Sequence, residues 1–98
     1  MILVKIHKSQ DKEIISLCDK DLIGKTLQDG EIHLEVSESF YKGDEIKDEK
    51  ELLDLLEKCP NINILGKESV EFAIKNNIIE KSNIIKIKGV PYAIKVAL

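Results

Sequence analysis

Apolar residues fall into two rhythms along this chain. From Met1 to Lys8, and again from Glu13 to about Asp19, one side of an extended chain is aliphatic: Ile2, Val4 and Ile6, then Ile15 and Leu17, with Leu3, Ile14 and Cys18 on the other side. A period of two marks a strand with one buried face. The polar segment Ser9-Gln10-Asp11-Lys12 between the runs predicts a tight turn and hence a hairpin. Placing Lys8 opposite Glu13 sets Ile6 against Ile15, Val4 against Leu17 and Ile2 against Asp19, which makes one surface an aliphatic patch. Lys5, His7 and Ser16 share the reverse face, expected to be wet or only partly covered. Alternation returns after Gly30, where Ile32, Leu34 and Val36 interleave with Glu31, His33, Glu35 and Ser37. It predicts a third strand of the same antiparallel sheet.

The rhythm then lengthens. Leu52, Leu55, Leu56 and Cys59 recur at helical spacing from about Glu49 to Lys58, with Leu53 widening the stripe, Asp48 as N-cap and Pro60 as terminator. Asn61-Ile62-Asn63-Ile64-Leu65 is a short strand. After Gly66 a second helix runs to about Asn76, with Val70, Ala73 and Ile74 on one face and Asn77 in a left-handed terminating conformation. Glu80-Lys81-Ser82-Asn83 turns the chain into a strand at Ile84 to Lys88. Gly89 and Pro91 disturb the ladder that follows, before Tyr92, Ile94, Val96 and Leu98 restore alternation. An edge hairpin or a bulged strand is the expected result. Together these elements predict an α+β fold: one small mixed, mainly antiparallel sheet packed against two principal helices.

Ninety-eight residues fit a single domain, and 43% apolar content with two Phe, two Tyr and no Trp makes its core aliphatic. Between Glu38 and Lys47 the pattern is irregular. Adjacent Phe40 and Tyr41 cannot both enter one core from an extended strand, so a turn there forms either an aromatic lid or an exposed recognition element. The net charge of −3 is unevenly spread: Glu35 to Lys58 holds nine acids and four lysines, whereas Lys81 to Leu98 holds four lysines and no acid. All fifteen basic residues are lysine, so the planar, multidentate contacts that arginine makes to phosphates and base edges are missing, which argues against direct nucleic-acid binding. No apolar run approaches the roughly 18 residues of a membrane span, and a cytoplasmic protein is the simplest expectation.

Little of the chemistry on offer is organised. Cys18 and Cys59 have no CxxC partner, which removes the usual spacing for thiol redox work or structural zinc. His7, Cys18 and Asp19 have the types of a relay, but in the predicted hairpin His7 faces Ile14 and Cys18 faces Leu3, so four residues of strand separate them by about 13 Å. Glu31, His33 and Glu35 share a strand face without any characteristic metal spacing. Asp19 reads best as a turn residue accepting amides of Lys20 to Leu22. Gly66-Lys67-Glu68-Ser69 places amides where an anion could meet them, yet lacks the glycines and Lys-Ser element of a phosphate loop, and reads as a strand-to-helix turn. No metal or cofactor is expected.

In combination, several segments resemble a known family. Val4-Lys5-Ile6-His7, Cys18-Asp19 with Leu22-Ile23-Gly24-Lys25, Val36 through Tyr41 with Gly43, Asn63 through Val70 with Ala73-Ile74, and Gly89-Val90-Pro91-Tyr92-Ala93 are similar to the small archaeal proteins grouped as domain of unknown function 424. The resemblance covers essentially the whole chain. It implies an archaeal cytosolic α+β protein with no assigned reaction and a context in translation. The family pattern commonly has His where this chain has Tyr92 and Gln where it has Ile94, and tyrosine does not replace imidazole as a base near neutral pH.

The leading expectation is therefore a non-catalytic binding or adaptor module with a protein or ribonucleoprotein partner. Its contact surface would comprise Phe40, Tyr41, Lys86, Lys88, Gly89, Pro91 and Tyr92. The alternative is a small enzyme or ligand-binding protein with a polar site at Cys18 and Asp19, joined by Tyr92. Homo-oligomerisation through the C-terminal edge, sensitive to proline at Ile94, is a third reading.

Overall fold

The N-terminal alternation folds as a hairpin in the predicted register. In the computed structural model, which describes residues 1–96, β1 (Ile2–Ser9) pairs antiparallel with β2 (Lys12–Asp19), and Ile2 faces Asp19, Val4 faces Leu17, Ile6 faces Ile15 and Lys8 faces Glu13. Gln10 makes the turn at φ 52. Leu98, expected in the last strand, lies outside the described residues.

A short 3-10 turn over Lys20–Leu22 leads into β3 (Thr26–Asp29) and β4 (Ile32–Glu35), joined across Gly30 at φ 61. These two strands form a separate ribbon rather than extending the main sheet. Alternation in Glu31 to Ser37 marks a strand but cannot name its neighbour, and Ile32 is in fact exposed. Ser37 then caps α1 (Glu38–Tyr41), its hydroxyl accepting from the Phe40 amide. β5 (Asp44–Glu45) pairs with β1. At Gly43 a Cβ would lie 2.0 Å from the Val4 carbonyl oxygen, so glycine is what lets this edge approach.

Both main helices appear where periodicity placed them. In α2 (Glu49–Lys58) Asp48 accepts the Lys50 and Glu51 amides and Leu52 and Leu56 are buried. After β6 (Asn61–Leu65), α3 (Lys67–Lys75) buries Val70, Phe72 and Ala73, and Asn77 follows at φ 59. A second 3-10 turn at Lys81–Asn83 precedes β7 (Ile85–Ile87) and β8 (Val90–Lys95). Lys88 at φ 54 and Gly89 at φ 80 make the two-residue turn between them, the backbone that a tight hairpin requires. Pro91 does not break the ladder. It sits opposite Lys86, and its carbonyl accepts the Gly66 amide at 2.9 Å.

The six-stranded sheet has the order β5-β1-β2-β6-β8-β7, with β2–β6 parallel and the other pairs antiparallel. The strand bearing Ile94 is thus internal, and β5 and β7 are the edges. On the front of the sheet, α2 and α3 bury Val4, Ile15, Leu17, Ile62 and Ile64. The back, expected to be wet or partly covered, carries a second core. There β3, the segment after β4, and α1 bring Leu27, Val36 and Tyr41 onto Cys18, Leu65 and Ile87, and Ser16 is fully buried. The α+β fold with two principal helices stands; the third layer is what the sequence concealed.

Candidate functional site

Among the described residues two hydrogen-bonded groups of polar side chains stand out. The first lies where the parallel pair β2–β6 ends, beside a surface depression lined by Met1, Asp19, Lys20, Lys67 and Glu68. Cys18 is paired there with Leu65, so Asp19 and Gly66 emerge side by side at the N-terminus of α3. Strand ends of this kind, beside a helix N-terminus, are where many α/β folds hold anionic ligands. Here the anion is internal. Asp19 Oδ2 accepts the Glu68 amide at 3.0 Å, and Oδ1 accepts the Ser69 amide at 2.9 Å and the Ser69 hydroxyl at 2.8 Å.

Gly66 makes room for this carboxylate. A Cβ there would lie 2.3 Å from Asp19 Cγ, and Gly66 holds φ +110. Asp19 is therefore the distant cap of α3, not the binder of the Lys20–Leu22 turn, to which its side chain makes no capping bond. Local sequence could not reveal a partner 50 positions away.

Cys18, next to it, is fully buried, and its thiol donates to the Asp19 carbonyl at 3.4 Å. Burial pushes the thiol up to about 12 from its ordinary 9.0, with the negative charges of Asp19 and Asp21 adding to the shift. A thiol so protonated is a poor nucleophile. The residues of the polar-site reading are thus adjacent, but each is occupied with holding the fold, and Tyr92 joins another network.

That second network crosses the back of the sheet. Tyr41, only 3% exposed, donates its hydroxyl to Asn63 Oδ1 at 3.0 Å. Asn63 Nδ2 donates in turn to the Tyr92 hydroxyl oxygen at 3.1 Å. Burial fixes this direction, because a buried phenol must give its proton to an acceptor and the amide oxygen is the one in reach. Burial also pushes the Tyr41 hydroxyl above its ordinary range, Tyr92 and Cys18 adding to the shift and the Asn63 hydrogen bond opposing it.

Alongside, His7 stacks on Phe40 with ring centroids 4.4 Å apart, and the Phe40 carbonyl meets both His7 Nε2 and the Ser16 hydroxyl at 2.9 Å. Phe40 stands edge-on to Tyr41. The aromatic pair thus splits its roles, Tyr41 inside and half-buried Phe40 at the surface.

Beyond Tyr41 the back of the sheet is open. Ile14, Phe40, Asn63, Ile94 and Val96 border a depression of about 430 Å³, with Lys12 and Lys95 at its rim. Ile94 is 49% exposed and Ile85, paired with Tyr92, 48%. Of the expected contact surface, Phe40 and Tyr92 belong to this face. Tyr41 lies beneath it. Register puts Lys86 and Pro91 on the opposite side of the sheet from Tyr92. Lys88 and Gly89 form the hairpin turn, which Asp29 ties to the ribbon by accepting the Lys88 amide at 3.0 Å.

Sequence reasoning missed Asn63, whose signal was a polar residue alternating with Ile62 and Ile64 in a strand otherwise fit for a core. His33 projects from the ribbon and is exposed.

Architecture and face together define a small α+β protein whose sheet is helix-covered in front and half-covered behind. The chain belongs to the family described as protein of unknown function (DUF424), whose model matches residues 7–98. Its fold is similar to that of an uncharacterized conserved protein from Methanopyrus kandleri, at 24% sequence identity and a TM-score of 0.81, covering 99% of this chain and 93% of that one. Comparison with curated proteins gives no match. Among the described residues no helix is long and apolar enough to cross a membrane.

Proposed function

We propose that this protein is a binding module and that the open half of the back of its sheet is the contact face. One observation carries the reading: the same sheet face that is sealed under Tyr41 and Val36 continues, uncovered, into exposed Ile85, Ile94 and Val96 beside half-buried Phe40 and Tyr92. Contiguous apolar surface next to a firmly positioned aromatic and amide is the usual make-up of a recognition patch. The hydrogen-bonded row Tyr41, Asn63, Tyr92 holds the floor of the face rigid, which reduces the ordering cost of binding.

The partner we propose is a protein or a ribonucleoprotein of the translation apparatus, a choice supported by the family resemblance. Co-purification from native extract at physiological salt tests the proposal, with the Ile94→Glu variant alongside. Wild type should retain a macromolecule that the folded variant loses. Monomeric wild-type protein with nothing retained across several salt conditions overturns it.

A further inference from the structure

We infer that the outer edge of β1, beyond its short pairing with β5, takes up an extended basic peptide segment as an added strand, at a site separate from the back of the sheet. Register fixes which way the backbone of β1 points. Ser9 and Lys12 flank a two-residue turn, so the N–H and C=O groups of Leu3, Lys5, His7 and Ser9 face β2, and those of Ile2, Val4, Ile6 and Lys8 face outward. On that outer side β5 pairs with β1 at Leu3 and Val4, and the Ile46 amide donates to the Ile2 carbonyl. Beyond Val4 the chain leaves the edge, since the Lys42 amide donates to the Glu38 carbonyl within α1. The outward N–H and C=O groups of Ile6 and Lys8 have no main-chain partner among the described residues. A strand edge in this state is a template for one more strand.

The side chains beside this edge select the segment. Ile6 shares the front of the sheet with Val4 and is 43% exposed. Next to it lies a depression of about 810 Å³ bordered by Ile6, Asp44, Asp48, Glu51 and half-buried Leu55. Glu51 and Leu55, four positions apart, share one face of α2, and Asp44, paired with Val4, projects on the same front side. Glu45 and Lys5 also border the depression, but Glu45 pairs with Leu3 on the back, where the Lys5 ammonium donates to the Ser39 carbonyl. The front is left with the carboxylates of Asp44, Asp48 and Glu51 against the ammonium of Lys47, a balance that favours a cation on the partner. A residue of the added strand opposite Ile6 stands on the front as Ile6 does. Lys or Arg fits that place, its methylene stem on Ile6 and Leu55 and its charge among the acids. Nucleic acid is repelled by the same carboxylates.

Selection of a random peptide display library on the immobilised full-length protein tests this, with the Asp44→Lys/Glu51→Lys variant as counter-selection and unfolding curves confirming that each variant is folded. Peptides with Lys or Arg among β-forming residues should be enriched. The best of them should bind the double variant about tenfold more weakly. Ile6→Pro removes an N–H that the fold does not use, so it should stay folded and lose the peptide. In amide hydrogen exchange, Ile6 and Lys8 should exchange fast in the protein alone and at least about tenfold more slowly with the best peptide bound. Ile94→Glu should bind that peptide as wild type does, so loss of the back-face reading and loss of this one are told apart. Enrichment of acidic or uncharged peptides alone, binding that leaves the Ile6 and Lys8 amides unslowed, or a library that yields no peptide selective for wild type over the double variant overturns the inference. Slow exchange at Ile6 and Lys8 that grows with protein concentration before any peptide is added also overturns it, in favour of a second copy of the chain on this edge.

Discussion

Replacing Asp19 by alanine removes the one group that satisfies three donors at the start of α3: the Glu68 amide, the Ser69 amide and the Ser69 hydroxyl. Hydrogen bonds to an ionised partner contribute about 1.5–3 kcal/mol each, and a lost N-cap costs about 1 kcal/mol. The three bonds share a single carboxylate, and water can enter part of the space it leaves, so their values do not add. We expect a loss of about 3 kcal/mol, which for a domain of this length lowers Tm by roughly 15 °C. Guanidinium unfolding followed by circular dichroism measures it as a fall in midpoint at unchanged slope. Asp19→Asn keeps the shape but turns an amide group toward one of the donors, so it should recover less than half of the loss. Gly66→Ala drives a Cβ to 2.3 Å from Asp19 Cγ at φ +110, and should be destabilising by a comparable amount. In the double variant the clash has no carboxylate to meet, so its total cost should fall below the sum of the two singles. A loss under about 1 kcal/mol for Asp19→Ala, or strict additivity in the cycle, would refute the claim that this carboxylate is the internal cap of α3.

Gly43→Ala places a Cβ 2.0 Å from the Val4 carbonyl oxygen and should release β5 from β1, read as faster hydrogen exchange at Ile46, whose amide donates to the Ile2 carbonyl, before any global loss of structure. Tyr41→Phe leaves Asn63 Oδ1 without its donor and should cost about 1 kcal/mol in denaturant unfolding, more than Tyr92→Phe, because Tyr92 is half exposed. Cys18 should resist alkylation in the native protein at pH 8 and react on unfolding. Its folded-state pKa, about 12, lies above the ordinary 9.0, so the unfolded chain releases the proton first. The stability it contributes is full below pH 9 and declines as pH rises toward 12. Tyr41 shifts in the same direction. A Cys18→Ala variant whose stability falls as steeply as wild type over that range would refute the thiol's part.

Strands and helices were legible because each is set by neighbours a few positions apart. The tight turn at Ser9 to Lys12 set the register of the N-terminal hairpin, and a one-residue slip would have turned Val4, Ile15 and Leu17 out of the core. Asp48, Pro60 and Asn77 marked helix ends through local backbone chemistry. Alternation in Glu31 to Ser37, by contrast, gave a strand and left its partner open, and the chain put it in a ribbon on the back of the sheet. The aromatic pair was read as a choice between lid and contact, and the one-turn helix makes it both, by pointing Tyr41 in and leaving Phe40 half out.

The sequence by itself determined the α+β class, the two principal helices, the first hairpin and the uneven spread of charge, all of them consequences of spacing along the chain. Only the tertiary structure decided that Asp19 caps a helix begun far downstream and that Asn63 joins Tyr41 to Tyr92. The parallel pairing of β2 with β6 brings Asp19 beside Gly66, and parallel partners are joined by long crossovers whose contacts leave no periodic trace in the intervening sequence.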